Sequence, residues 1–187
     1  MSALLRFENV TLRRGGRLLF KGLDLELGPG ERLQIAGPNG SGKSSLIRLA
    51  AGLLRHESGS VHRSPMALAD DHLALDRELP LKQALGFWGD GVAEAMESLK
   101  IAHLANVPVR LLSSGQLRRA TLARVAASRV PLWLLDEPLN ALDTEGAKRL
   151  GGLVERHLQT GGAVVAASHQ RLGGAWRKLE LGRREAA

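Results

Sequence analysis

The segment GPNGSGKS at residues 37–44 constrains the fold of this chain more than any other feature of its sequence. It matches the pattern G-x-x-x-x-G-K-[ST], follows a mixed apolar run at residues 31–36 and precedes apolar residues at helical spacing. A glycine-rich turn between a strand and a helix lets successive backbone N–H groups face an anion at the positive end of the helix dipole. The sequence therefore predicts an α/β fold that binds a nucleoside triphosphate.

The residue types in this loop fit the chemistry of a bound triphosphate. Lys43 can reach the β- and γ-phosphates, and the hydroxyl of Ser44 can bind Mg²⁺. A chance match of the pattern in a chain of this length is on the order of one per cent at ordinary residue frequencies. We predict that the nucleotide is held by the loop and the first residues of the helix, namely Gly37, Pro38, Asn39, Gly40, Ser41, Gly42, Lys43, Ser44 and Ser45.

Two adjacent acids, Asp136 and Glu137, follow a second buried strand. Residues 132–135 are continuously apolar, as in a parallel strand that is buried on both faces. The carboxyl edge of such a sheet is where α/β proteins bind their ligands. We expect Asp136 to hold Mg²⁺, directly or indirectly. We expect Glu137 to orient and deprotonate a water that attacks the γ-phosphate.

The segment LSSGQ at residues 112–116 precedes a pattern that predicts a helix. Ser113 and the start of that helix offer a hydroxyl, free N–H groups and a positive dipole end to an anion. Taken alone, the segment is equally a good helix N-cap. Its place between the phosphate loop and the acid pair favours the interpretation as an anion site.

The remaining pattern predicts strands that alternate with helices. We predict half-buried strands at residues 4–10 and 23–27, short strands near Val61 and Met66, and a buried strand at 163–167. The helix after the phosphate loop should carry Leu46, Leu49, Ala50 and Leu53 on one face. Further helices are predicted at residues 81–87, 92–99, 114–128 and 144–158. This alternation implies a single domain over residues 1–187 with a mostly parallel sheet.

The composition excludes several classes of protein. The absence of cysteine excludes a disulfide scaffold, a thiolate zinc site and a cysteine nucleophile. The longest apolar run without glycine, residues 130–135, is far shorter than the ~18 residues of a membrane span, so no direct span is expected. A net charge of +7 leaves nucleic acid open as a partner, but the basic residues are scattered and aromatic residues make up only 3%. We therefore expect no nucleic acid.

The motifs together resemble those of the ATP-binding cassette (ABC) ATPases, in the same order over nearly the whole chain. The resemblance implies a P-loop core with a mostly parallel sheet, a small antiparallel β part and a short helical subdomain at roughly residues 78–128. It also implies a head-to-tail homodimer around two ATP molecules, with Asp143 at the seam and His169 at the γ-phosphate. Each ATP would be held by the phosphate loop of one copy and by four residues of the other, Ser113, Ser114, Gly115 and Gln116.

Three segments support a narrower resemblance, to the ATP-binding subunits of cytochrome c maturation heme exporters. These segments are the short connection between Lys43 and Ser113, SRVPLWLLDEPLNALD at residues 128–143 and ASHQRL at residues 167–172. The resemblance implies integral membrane permease subunits as partners. It also implies a place on the cytoplasmic face of the cell membrane and ATP-driven handling of heme.

The chain departs from the family pattern at three positions. Arg14 stands where most members have an aromatic residue that stacks on adenine, a contact that a guanidinium plane can also make. The glutamine that members carry between phosphate loop and signature has no clear counterpart, and the sequence DDH at residues 70–72 occupies that region. Ser114 replaces a glycine of the signature.

Two other functions fit parts of the sequence. A soluble ABC ATPase that acts on nucleic acid or ribosomes would suit the positive charge, but such proteins usually have two cassettes or a long coiled-coil insertion. A P-loop kinase would leave the LSSGQ segment and His169 without a role.

Overall fold

The computed structural model describes residues 2–182 of the chain. In chain order its strands are β1 (Leu5–Arg14), β2 (Arg17–Leu27), β3 (Arg32–Ala36), β4 (Ser58–Arg63), β5 (Met66–Ala69), β6 (Leu132–Asp136), β7 (Ala163–Ala167) and β8 (Arg177–Glu180). Its helices are α1 (Lys43–Ala50), α2 (Leu81–Gly86), α3 (Val92–Ser98), α4 (Ser114–Ala127) and α5 (Thr144–Gln159). Strands and helices alternate as the sequence predicts for an α/β fold.

Five strands form a parallel sheet in the order β5-β6-β7-β3-β8. Ala167, the last residue of β7, aligns with Asp136 of β6 on one side and with Ile35 of β3 on the other. The chain therefore leaves these three strands at the same edge of the sheet. This edge carries the phosphate loop, the acid pair and His169.

A smaller antiparallel sheet, in the order β2-β1-β4, packs beside the parallel one. Strands β1 and β2 are both longer than predicted, because their pairing continues to Arg14 and Arg17, the residues on either side of the turn. The turn between them is formed by Gly15 and Gly16, both with positive φ, which favours glycine. The structure thus contains the small antiparallel part that the family resemblance implies.

Two apolar cores on opposite faces of the parallel sheet explain its continuously apolar strands. In β6, Trp133 and Leu135 face the core that includes α4 and α5. The alternate residues Leu132 and Leu134 face the core formed with α1 and the antiparallel sheet. Burying one such leucine contributes roughly 1.5–3 kcal/mol, so the two-sided burial of this sheet is a main source of stability.

Two further features of the structure differ from the sequence predictions. β8 was not predicted because its residues are mostly polar and exposed, as an edge strand allows. Leu53 was predicted on the buried face of α1, but it lies beyond the helix and is 61% exposed. The helix ends at Ala50, and Gly52 follows with a φ of +78°, which turns the chain away from the core.

Helices α2, α3 and α4 pack on one another and carry the region predicted as a helical subdomain. Across residues 2–182, no helix has both the length and the apolar character needed to cross a membrane.

A stacked aromatic pair lies at the edge of the sheet opposite the phosphate loop. The rings of Trp133 and His157 are parallel, with centroids 3.9 Å apart. His157 donates from Nε2 to the carbonyl oxygen of Pro131 at 3.1 Å. Burial lowers the pKa of His157, although its hydrogen bonds to backbone carbonyls act in the opposite direction. The folded protein therefore favours the neutral ring.

We expect the free energy of unfolding to fall as the pH drops below 6.5, the ordinary histidine pKa. Below that pH the unfolded chain takes up a proton that the folded chain resists. A His157→Phe variant keeps a ring on Trp133 and removes this titration. Its melting temperature should therefore vary less between about pH 7.5 and about pH 5.5 than that of the wild type. His56→Phe, at an exposed histidine, is the control, and an unchanged pH dependence in His157→Phe would contradict the assignment.

Candidate nucleotide-binding and hydrolysis site

The phosphate loop connects the carboxyl end of β3 to the first residue of α1. Its glycines adopt positive φ, with values of +143° at Gly37, +76° at Gly40 and +102° at Gly42. Side chains are disfavoured in these conformations, and at Gly37 a Cβ atom would lie 2.4 Å from the carbonyl oxygen of Leu181. The loop therefore presents backbone to the start of α1, where an anion is stabilised.

Lys43 lies buried under this loop. Its Nζ donates to the carbonyl oxygens of Gly37 and Pro38 at 2.9 and 3.1 Å, which holds the ammonium group against the loop. The hydroxyl of Ser41 is also buried and has no hydrogen-bond partner within the described residues. A buried polar group of this kind needs a partner. A phosphate in the loop would supply one, so the loop fits a nucleotide.

Ser44 and Asp136 meet across the gap between α1 and β6. The Ser44 hydroxyl donates to Oδ1 of Asp136 at 3.0 Å. Burial raises the pKa of Asp136, the hydrogen bond from Ser44 opposes this, and the charges of Asp71 and Glu137 add to the increase. Oxygen atoms such as these are the ligands that Mg²⁺ prefers, together with substrate phosphates. In residues 2–182 no cluster of three or more acids or histidines could hold a metal on its own.

Glu137 and His169 form a direct pair beside Asp136. Oε2 of Glu137 accepts a hydrogen bond from Nδ1 of His169 at 2.9 Å and lies 3.4 Å from the His169 backbone nitrogen. The backbone N–H of Glu137 donates to Ala167 at 2.8 Å, which anchors the acid to the end of β7. Glu137 has a φ of +46°, a left-handed value that is costly for a residue other than glycine and persists only where the surroundings hold it. Among residues 2–182, Nε2 of His169 has no hydrogen-bond partner, which leaves it available to a substrate or a water.

Gln34, in the middle of β3, is a site residue that the sequence analysis missed. Only 5% of it is exposed, and its amide nitrogen donates to the carbonyl oxygens of Gln170 at 2.8 Å and Ser168 at 3.4 Å. These bonds fix the loop that carries His169. A single polar residue inside an otherwise buried strand was the available signal, since such a group requires partners.

The signature residues form a separate group at the start of α4. The Ser113 hydroxyl accepts from the Gln116 N–H at 3.3 Å, and the Gln116 side chain accepts from the Ser113 N–H at 2.8 Å, which is a capping box. Asp143 caps α5, and its Oδ1 accepts hydrogen bonds from the Gly146 N–H and from Arg119, each at 2.7 Å. Both bonds lower the pKa of Asp143, and the bond from Gly146 has the larger effect. None of these side-chain bonds reaches the phosphate loop within the described part of the chain.

Two of the three departures from the family pattern, Arg14 and the segment at residues 70–72, lie close to the phosphate loop and the acid pair. Nη1 of Arg14, at the end of β1, is 3.4 Å from the hydroxyl of Ser45 in α1. Asp70 directly follows β5, the neighbour of β6, and its carboxylate contacts the backbone and the ring of His72 at 3.1 and 3.2 Å. Arg14 and the DDH segment therefore remain candidates for the adenine and metal contacts of the predicted site.

Comparisons with known proteins agree with the fold and the motifs. The sequence model of the family described as ABC transporter matches residues 20–140. The cytochrome c biogenesis ATP-binding export protein CcmA of Sphingopyxis alaskensis is 50% identical over 177 residues, which cover 90% of this chain and 91% of that protein. The protein of the same name from Novosphingobium aromaticivorans is 52% identical over 167 residues, with 88% and 87% covered.

A solved ATP-binding subunit of an ABC transporter has the same fold, with a TM-score of 0.80 at 18% identity over 89% of this chain and 79% of that one. This match confirms the predicted fold class. The two sequence relatives are export proteins, and none of these matches supports the alternative of a soluble ATPase that acts on nucleic acid or ribosomes.

We expect Lys43→Ala to abolish ATP hydrolysis and to weaken ATP binding by about tenfold or more. The physical reason is that a hydrogen bond to a charged group contributes about 1.5–3 kcal/mol. Titration with a fluorescent ATP analogue measures the affinity, and Lys21→Ala, at an exposed lysine of β2, is the control. Turnover and affinity like those of the wild type in Lys43→Ala would contradict the assignment of the loop.

Proposed function

Because the chain belongs to the ABC transporter family and, within it, to the CcmA group of ATP-binding proteins, we propose that it powers an export step in cytochrome c biogenesis. Proteins of this class hydrolyse ATP, and this chain is an ATP hydrolase. One observation carries the residue-level proposal: the phosphate loop, the Ser44–Asp136 pair and the Glu137–His169 pair lie at one edge of the sheet. Heme is the cargo that we propose, on the family resemblance of the sequence.

In the proposed mechanism, the backbone N–H groups of the phosphate loop and the ammonium of Lys43 bind the β- and γ-phosphates. Ser44 and Asp136 would hold Mg²⁺, which supplies positive charge against the phosphate oxygens. Glu137 accepts a proton from the water whose oxygen attacks the γ-phosphorus, and the bond from that phosphorus to the bridging oxygen of ADP breaks. His169 keeps the carboxylate of Glu137 in place through Nδ1 and lies at the γ-phosphate beside the attacking water.

We further propose that two copies of the chain share each nucleotide in a head-to-tail dimer. The start of α4 offers the N–H groups of Ser114 and Gly115 to an anion, and its capping box, which uses those of Ser113 and Gln116, fixes Ser113 there. Ser113 and Gln116 are hydrogen-bonded to each other, and Asp143 is hydrogen-bonded to Arg119 of α4. These bonds do not involve the phosphate loop. This separation supports a site that is completed by a second copy.

Mixing two inactive variants tests the shared site. Lys43→Ala damages the phosphate loop, and Ser113→Asp adds a negative charge that repels the γ-phosphate. Aspartate caps a helix as well as serine does, so α4 should stay folded. Each heterodimer retains one intact site, so an equal mixture should regain about a quarter of the wild-type ATPase activity. No recovery, with heterodimers demonstrated by two affinity tags, would contradict the head-to-tail arrangement.

The Glu137→Gln variant separates hydrolysis from dimer closure. It removes the proposed base and also a negative charge that faces the γ-phosphate, so turnover should nearly stop while ATP binding across the seam strengthens. Size-exclusion chromatography with Mg-ATP should show a stable dimer, whereas the wild type returns to monomer as ATP is consumed. Glu94→Gln, at an exposed acid of α3, is the matched control. Normal turnover in Glu137→Gln would contradict the role of Glu137 as base.

For the membrane partner, we propose that integral permease subunits dock on the segment that follows α2 and hold the chain at the cytoplasmic face of the membrane. Phe87 in this segment is 85% exposed, which is unusual for a large apolar side chain and is typical of an interaction site. Its neighbour Trp88 is half-buried, with its ring 4.5 Å from the guanidinium carbon of Arg124. Of the two aromatic residues, Phe87 is therefore the one available to a partner.

We expect Phe87→Ser to reduce cosedimentation of the chain with membranes that contain its partner subunits, because the variant removes apolar contact area. Leu53→Ser removes another apolar side chain, which is 61% exposed and lies just beyond α1. This variant should leave cosedimentation unchanged. Melting temperatures confirm that both variants are folded. Equal cosedimentation of both variants and the wild type would contradict docking at Phe87.

A further inference from the structure

A buried arginine of α4 lies directly behind the two acids of the site. Arg118 is only 8% exposed. Its Nη2 donates to the carbonyl oxygens of Asp136 at 2.6 Å and Glu137 at 2.5 Å, and its Nε donates to that of Pro138 at 3.3 Å. One guanidinium group therefore binds three consecutive carbonyls of the turn that carries the acids.

The same guanidinium group also reaches the neighbouring strand. Its Nη1 donates to the carbonyl oxygen of Asp70 at 3.3 Å, just beyond the end of β5. Burial lowers the pKa of Arg118. The negative charges of four nearby acids raise it, namely those of Asp71, Asp136, Asp70 and Glu137. The position thus suits a permanent cation whose planar fork binds several acceptors at once.

The turn that Arg118 binds is the strained part of the site. Glu137 has a φ of +46°, and its carbonyl oxygen is shared by Arg118 and by the N–H of Asn140 at 3.1 Å. A backbone conformation of this kind persists only where its surroundings hold it. The guanidinium group fixes the carbonyls on both sides of Glu137 as well as its own, and so determines where the carboxylate points.

We propose that Arg118 is a positioning residue that keeps Glu137 in the left-handed conformation from which its carboxylate meets the attacking water. This proposal rests on the proposed role of Glu137 as the base. Arg118 acts through Glu137, because its contacts are to backbone carbonyls behind the acids. It therefore influences hydrolysis without taking part in ATP binding.

A second buried arginine on the same helix provides a matched control. Arg124 is 6% exposed, donates to the carbonyl oxygen of Leu68 and lies against the ring of Trp88. Its contacts with Leu68 and Trp88 are away from the turn at Asp136–Pro138. Replacing either arginine by methionine keeps an unbranched apolar stem and removes the donors, so the two variants should lose similar thermal stability.

The first experiment compares steady-state kinetics and melting temperatures of Arg118→Met and Arg124→Met. We expect kcat of Arg118→Met to fall by about tenfold or more with KM for ATP within about twofold, and kcat of Arg124→Met to stay within about twofold. Arg118→Lys keeps the charge but offers one compact donor group, so it should recover only part of kcat, and it replaces Arg118→Met if that variant does not fold. Equal losses of kcat in the variants at both positions would mean a purely structural role and overturn the proposal.

The second experiment measures single-turnover hydrolysis of Arg118→Met, or of Arg118→Lys, with and without Glu137→Gln. If Arg118 acts through Glu137, its loss should slow hydrolysis in the wild-type background and change the rate by less than about twofold in the Glu137→Gln background. An equal fold-change in both backgrounds would overturn the positioning role and leave the function of Glu137 intact. Normal turnover of Glu137→Gln alone would instead refute the proposed base.

Discussion

Parallel pairing of β7 with β6 on one side and with β3 on the other brings the parts of the candidate site together. Its register brings the ends of the three strands to one level, since Ala167 aligns with both Asp136 and Ile35. The phosphate loop, the acid pair and His169 lie far apart in the chain and leave the sheet side by side. A shift of one residue in any strand would turn its side chains to the opposite face and separate these groups.

The burial that stabilises this sheet also determines how its edge is organised. A buried polar group is costly unless it is hydrogen-bonded, and three of those near this edge have a partner close by, whereas the Ser41 hydroxyl has none among the described residues. Lys43 and Gln34 bind backbone carbonyls, and Asp136 accepts from Ser44. Each of these bonds also orients a group that the proposed chemistry uses. Stability and the preorganisation of charge therefore depend on the same contacts.

Helix α4 carries residues proposed for dimer formation and residues proposed for hydrolysis. Its first turn carries the signature residues, which the proposed dimer brings to the nucleotide of a second copy. Its interior carries Arg118, which binds the turn at Asp136 and Glu137, and Arg124, which packs on Trp88 beside the exposed Phe87. Through these contacts, α4 links the proposed partner surface, the proposed dimer seam and the turn that carries Glu137.

Features whose signals are local could be predicted from the amino-acid sequence. The phosphate loop is recognisable because its glycines and Lys43 are adjacent in the chain, and Asp136 because it ends an apolar strand. The family resemblance implied that His169 acts together with Glu137 at the γ-phosphate, but the direct hydrogen bond between these residues, 32 positions apart, is set by the order of the strands. The exposure of Leu53 and the contacts of Arg118 with the acid turn likewise follow from the folded structure. Hydrophobic periodicity predicts which face of an element is buried, but it carries no information about which distant residues then meet there.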